Sequence, residues 1–267
     1  MIGLAPGAIF PDTFCHNPRF FRESMERPKP DTIDAPEKPV ALIIPAFAQR
    51  CREACHEEWE KAAAHLFVRS LITGDLDTER FRFYQMQDAR YLEAYADTCS
   101  ILSTRFRAPA DKLWFIDGAR LAIVVEQQLH AGYGERLGYS AGDVASLSCT
   151  PNNTAYQNHM LQASGSGSLV EGLAALAPCP WLYTDIGIRM MEELGAIPED
   201  HPYADWLATY ADPSFVAYTN ELLAILEDVV SQHDGEVLEQ AVDAFRTSVR
   251  YEWMFWEQSW TRQTWPI

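Results

Sequence analysis

Apolar residues recur at steps of three and four along most of this chain, the period of helices that bury one face. Phe47, Cys51, Cys55, Trp59, Ala62, Phe67 and Leu71 predict one helix that stops at Gly74-Asp75. Asp77-Thr78-Glu79-Arg80 opens a second, whose face carries Phe81, Tyr84, Asp88, Tyr91 and Tyr95. After Pro109 a long helix is expected through Leu113, Phe115, Ala119, Ile123 and Val124 to about His130, broken by Gly132-Tyr133-Gly134. Residues 138–150 read as a loop, Pro151-Asn152-Asn153-Thr154 as the start of a helix with Tyr156, Met160 and Leu161, and Ser164 to Ser168 as a turn. Ser168 and Glu171 have the spacing of a capping box, which starts a helix through Leu173, Ala174 and Leu176. Pro178 interrupts it, and Pro180 suits the first turn of a new helix through Ile186, Met190 and Leu194. Beyond a connection from Gly195 to Pro202, short and long helices follow around Trp206, Tyr210, Tyr218 and Leu222. His233-Asp234-Gly235 turns the chain into a last helix from about Glu236 to Trp260. No segment reads as a strand, so the expected fold is an all-α bundle, one domain over residues 47–267.

Residues 1–46 differ. The first 45 residues hold eight of the chain's 16 prolines and no helical period. An extended proline-rich arm is expected there, lying on the body or on a neighbouring subunit, because Phe10, Phe14, Phe20 and Phe21 are unlike a disordered tail. The 267 residues, 48% hydrophobic, suffice for a sizeable core without disulfides or metal. A net charge of −17 argues against a nucleic-acid backbone as partner. No apolar run is long enough to span a bilayer, and the N-terminus lacks the basic start and apolar stretch of a signal peptide, so a cytoplasmic protein is expected. The six cysteines (Cys15, Cys51, Cys55, Cys99, Cys149, Cys179) show no zinc spacing, and reduced thiols fit best.

Three residues stand out chemically. Cys179 lies between two prolines at a helix break, where free N–H groups and the helix dipole would favour thiolate, the nucleophilic form. The alternative is a buried cysteine at a proline kink. Tyr183, four residues on, shares its face. Asp88 is a carboxylate on a tyrosine-rich face, costly unless paired and so a candidate site residue. Glu252 falls on the face of Phe245, Val249 and Trp256, where a raised pKa would suit proton donation near neutral pH.

Several motifs, in order, resemble the TenA-type thiaminase II (aminopyrimidine aminohydrolase) family over roughly residues 47–260. They are Gly74-Asp75-Leu76, Phe81-x-x-Tyr84-x-x-Gln87-Asp88-x-x-Tyr91, Ala155-Tyr156, Gly165-Ser166-Gly167, Pro178-Cys179-Pro180-Trp181-Leu182-Tyr183, Tyr203-x-x-Trp206-x-x-x-Tyr210 and Tyr251-Glu252-x-x-Phe255-Trp256. The resemblance implies a haem-oxygenase-like helical bundle, usually a homotetramer, with a pocket between the helices and no cofactor or metal. It matches Cys179 to the nucleophile, Glu252 to the acid/base carboxylate and Asp88 to the group that reads the aminopyrimidine edge. Tyr91, Tyr156, Tyr183 and Tyr210 match the aromatic and hydroxyl lining, and Phe255 a ring-packing position. The implied reaction converts 4-amino-5-aminomethyl-2-methylpyrimidine to the hydroxymethyl pyrimidine and ammonia in thiamine salvage, with thiamine as a second substrate. The chain departs from the pattern at His65-Leu66-Phe67, in the arm, and between Leu194 and Pro202.

Three other readings compete. A metal-dependent oxidase on the same scaffold would use Glu-x-x-His pairs. Glu53-x-x-His56 is one match, with His130 and His159 as further ligands, whereas Glu252 is followed at the third position by Phe255. A non-catalytic pyrimidine-binding regulator would not need Cys179 and Glu252 together. A haem-degrading enzyme would need a proximal histidine, for which His56 and His65 are the candidates. The crowding of Trp253, Trp256, Trp260 and Trp265 at the chain's end adds an expectation of self-association.

Overall fold

The computed structural model describes residues 40–267; the proline-rich arm expected over 1–46 lies almost wholly outside them. Twelve helices, and no strand, occur among the described residues. The first six are α1 (Ala46–Ala54), α2 (His56–Ala63), α3 (Leu66–Thr73), α4 (Thr78–Arg105), α5 (Pro109–Leu137) and α6 (Ala141–Ser146). The rest are α7 (Pro151–Ser166), α8 (Leu169–Leu176), α9 (Pro178–Leu194), α10 (Ala204–Ala211), α11 (Pro213–Val230) and α12 (Glu236–Thr261).

The single helix expected from Phe47 to Leu71 is three. Cys55 leaves the helical region at φ −126°, ψ 30°. His65 then caps α3, its Nδ1 accepting from the Phe67 N–H at 3.0 Å. The apolar spacing hid these breaks because Phe47, Cys51, Cys55, Trp59, Ala62, Phe67 and Leu71 all reach the same core. The expected break at Gly132-Tyr133-Gly134 is also absent: α5 runs to Leu137 and ends at Gly138 in the left-handed region. Gly134 serves close approach instead, since a Cβ there would lie 2.7 Å from the Tyr139 carbonyl oxygen.

The loop expected over 138–150 contains α6, started by a Ser140/Asp143 capping box but burying only Val144. That leaves no period to detect. The turn expected at Ser164 to Ser168 begins later, because α7 continues to Ser166. Arg105 supports that end by donating to the carbonyls of Ser164 at 2.7 Å and Gly167 at 2.8 Å. The Ser168/Glu171 capping box forms as the sequence indicates.

Two helices organise the packing. α4 lies against α5, α6, α7 and α8, and α12 against α1, α2, α3, α4, α7, α8 and α9. α8 buries Val170 and every residue from Gly172 to Leu176, as a helix surrounded by others must. Fully buried Trp59, Trp181, Trp256, Phe67, Phe81, Phe115 and Phe245 fill the core. Trp59 stacks on Phe245 at 6.2 Å and Phe67 on Trp256 at 5.5 Å. Trp256 is thus taken up by the core, whereas Trp253 and Trp265 stay exposed.

Candidate active site

α8 and α9 meet at Ala177, which keeps helical dihedrals (φ −60°, ψ −34°). The chain therefore passes from α8 to α9 without leaving the helical region at Ala177. This changes the electrostatics expected for Cys179. Pro178 and Pro180 have no N–H to offer, and the Trp181 N–H is already bonded to the Ala177 carbonyl at 3.3 Å. Two of the donors that would stabilise thiolate are therefore missing. Burial pushes the Cys179 thiol well above its ordinary range, with the charges of Glu252 and Asp88 adding and a Tyr91 hydrogen bond opposing. Burial thus favours the thiol form, the second of the two sequence readings of Cys179.

The rest of the site comes from α4, α7, α9, α10 and α12. Glu252 is 2% exposed, on the face of Phe245, Val249 and Trp256 as its spacing indicates. Tyr156 from α7 donates to its Oε1 at 2.7 Å, and the Cys179 thiol is near enough to act on the carboxyl group. Burial pushes Glu252 up to about 8, against the Tyr156 hydrogen bond and with the Asp88 charge adding. Glu252 is therefore mostly protonated at neutral pH.

Asp88, buried on α4, makes its charge felt at Cys179, Glu252, Tyr84, Tyr183 and Tyr210. Phe255 lies edge-on to Tyr84 at 6.0 Å and to Tyr91 at 5.7 Å. Tyr91 packs 5.0 Å from Tyr156, and Tyr183 4.6 Å from Tyr210. All eight residues singled out by sequence thus converge between the same helices. Cys179 and Tyr210 keep partial solvent exposure, whereas Glu252, Tyr91, Tyr156, Tyr183 and Phe255 are buried.

Three supports were not picked out from the sequence as parts of a site. The Tyr84 and Tyr183 hydroxyls bond at 3.0 Å, and Trp206 Nε1 donates to Tyr84 at 3.4 Å. Beside Asp88, the Gln87 side-chain oxygen accepts from Asn153 Nδ2 at 2.8 Å and from the Thr150 N–H at 3.2 Å, while the Thr150 hydroxyl donates to Gln258. This polar lattice pins α4 to α7 and α12, the helices bearing Asp88, Tyr156 and Glu252. Gly187 on α9 packs directly on α10, for a Cβ there would lie 2.0 Å from the Tyr210 carbonyl oxygen. That approach seats Tyr210 beside Tyr183. Gln87 already belongs to the Gln-Asp motif, whereas Gly187 carries no periodic signal.

Of the residues of the competing readings, the His130 side chain lies outside the described ones, and the others do not come together. Glu53 and His56 are exposed, and the break at Cys55 puts them on different helices. His159 bonds the Ala244 carbonyl at 3.1 Å and Ser248 at 3.0 Å. His65 is used as a helix cap and lies 3.1 Å from Glu257. Among the described residues no three His, Cys, Asp or Glu side chains are placed to hold a metal ion. None of the described helices is long and apolar enough to cross a membrane.

The all-α bundle around these residues has the haem-oxygenase-like fold. A domain with that fold from Shewanella denitrificans superposes with a TM-score of 0.63 at 12% identity, over 80% of this chain and 92% of that one. Within the class, the chain belongs to the TENA/THI-4/PQQC family, whose model matches residues 52–262. It is 30% identical over 225 residues to an aminopyrimidine aminohydrolase from Bacillus subtilis, covering 82% of this chain and 92% of the relative. A TenA family transcription regulator from Silicibacter superposes with a TM-score of 0.75 at 26% identity, over 80% of this chain and 96% of that one.

Proposed function

We propose that this chain is an aminopyrimidine aminohydrolase. It replaces the amino group on the exocyclic methylene of an aminopyrimidine by hydroxyl, releasing ammonia, and serves salvage of the thiamine pyrimidine. The observation that carries the reading is the buried Tyr156–Glu252 hydrogen bond, with Glu252 close enough to raise the Cys179 thiol and Asp88 acting on both. The kinship to the Bacillus subtilis enzyme supports it.

The chemistry follows from the protonation states. Asp88 binds the amino edge of the pyrimidine, and pairing its charge weakens a field that raises both Cys179 and Glu252. The ionised fraction of Glu252 takes the thiol proton as sulfur adds to a ring carbon. Glu252 then gives that proton to the departing amine, whose C–N bond electrons leave with nitrogen. Glu252 next takes a proton from water while the hydroxyl adds to the methylene. Expulsion of sulfur, which recovers its proton from Glu252, closes the cycle. Water is consumed, ammonia is released, and no electrons are gained or lost overall. The tyrosine hydroxyls stay neutral throughout, because burial raises all of them.

The test is a product assay on the purified full chain with aminomethylpyrimidine and, separately, thiamine. Ammonia and hydroxymethylpyrimidine should appear in equal amounts from the first. No ammonia under conditions where the protein is folded would sink the proposal. A purely regulatory role, suggested by the name of the Silicibacter relative, leaves the Cys179–Glu252 contact without a purpose. Tetrameric assembly is part of the proposal, with exposed Trp253 and Trp265 as the surface concerned. A monomer mass independent of concentration in light scattering would contradict it.

A further inference from the structure

The hydrogen bonds that join Trp206, Tyr84 and Tyr183 run in one sense. An indole N–H donates and cannot accept, so Trp206 Nε1 gives its hydrogen to the Tyr84 oxygen, 3.4 Å away. Tyr84 is fully buried, and its ring neighbours Phe67, Phe81, Phe255 and Trp256 offer no oxygen. The acceptor for its own O–H is the Tyr183 oxygen at 3.0 Å. Reversing that bond would leave the Tyr84 proton buried without a partner, which is costly. The donor left over is then the Tyr183 O–H, which has no other hydrogen-bond partner among the described residues.

Tyr183 follows Cys179 by four residues on α9, so the two side chains lie one turn apart on one helix face. A pyrimidine seated against the Cys179 sulfur therefore lies beside Tyr183. Asp88 and Glu252, assigned above to the amino edge and to the protons, are both felt at Tyr183. Burial holds its phenol well above the ordinary range, with the charges of Tyr84 and Asp88 adding, so at neutral pH it keeps the proton that it offers. A donor oriented before the reaction and shielded from water stabilises developing charge far better than solvent does.

We infer that Tyr183 is a catalytic hydrogen-bond donor, held in that sense by Tyr84 and Trp206, that takes up negative charge on a pyrimidine ring nitrogen as the Cys179 sulfur adds. This rests on the aminopyrimidine reading and gives Tyr183 a part in the reaction beyond lining the site. As the C–S bond forms, the π pair of a ring C=N bond moves onto nitrogen, and the thiol proton goes to Glu252. Tyr183 bonds to that nitrogen without giving up its proton. When the amine leaves with its C–N pair, the charge flows back through the ring to form the exocyclic C=C bond. Tyr84 and Trp206 touch no substrate and are positioning residues.

Steady-state ammonia release from aminomethylpyrimidine by the full chain, beside calorimetric binding of hydroxymethylpyrimidine, tests this role. Tyr183→Phe should lower kcat about 100-fold, the scale of losing one donor to developing charge, while affinity for hydroxymethylpyrimidine changes less than about fivefold. The pH dependence through the group near 8 should persist, because Glu252 is intact. Trp206→Phe, which keeps an aromatic ring and removes the N–H, should lower kcat about fivefold, the scale of one hydrogen bond, and add nothing further in a Tyr183→Phe background. A Tyr183→Phe protein with kcat within about threefold of wild type, or one whose kcat and affinity fall equally, would overturn the role. If Tyr183→Phe fails to fold, Trp206→Phe decides, and an unchanged kcat there overturns it. A wild-type chain that releases no ammonia sinks the reaction and this step with it, whereas ammonia from wild type and full kcat in Tyr183→Phe sink this step alone.

Discussion

Glu252→Gln is expected to lower kcat by about 100-fold or more, the usual worth of a positioned proton carrier. The amide keeps the shape of the carboxyl group and can still accept from Tyr156, but it cannot shuttle a proton between sulfur, the leaving amine and water. Substrate binding should change little, because in the proposed reaction Asp88 reads the pyrimidine edge. Wild-type activity should depend on pH through a group near 8, the value to which burial raises Glu252, and the variant should lose that limb. The same shift has a consequence for stability. With the folded pKa above the unfolded one, the folded state holds an extra proton between about 4.5 and about 8, so this group's contribution falls as pH rises through that window. The melting temperature of Glu252→Gln relative to wild type should therefore climb from pH 5 to pH 8. Full kcat with an unchanged pH profile would assign the proton transfers to another group.

How far the sequence revealed this arrangement depends on which physical signal each part leaves. Long faces were legible: α4 and α12 keep a 3.6-residue period over many turns, which placed Asp88 and Glu252 on inward faces. Capping chemistry was legible at Ser168 and Glu171, where two side chains satisfy orphan N–H groups locally. Breaks that preserve the period were not. Cys55 and His65 interrupt the first helical stretch without moving an apolar residue off the core. Glycine misled in the other direction, since Gly134 was read as a breaker but serves close approach inside a continuing helix.

The state of Cys179 was left open for a different reason. Pro-Cys-Pro looks like a helix start, yet whether a helix dipole helps depends on free N–H groups, and the two prolines remove two of them. Burial and two nearby carboxyl groups are three-dimensional facts, and they outweigh the local pattern. The lattice around Gln87, Thr150, Asn153 and Gln258 joins residues up to 108 positions apart, out of reach of any local spacing rule.

Cys179→Ser is the other large effect expected. Serine occupies nearly the same volume and sits equally near Glu252, so fold and ligand binding should survive. A hydroxyl is a far weaker nucleophile and leaving group toward a ring carbon than sulfur, and in the proposed reaction addition and expulsion both pass through it. The loss in kcat should be about 1000-fold or more, roughly 4 kcal/mol of barrier. Measuring ammonia release by purified Cys179→Ser beside wild type, with melting temperatures for both, tests the covalent role of this residue most directly. The expected result is a melting temperature within a few degrees and turnover close to background. A folded variant that retains turnover within about threefold of wild type, less than 1 kcal/mol, would contradict it.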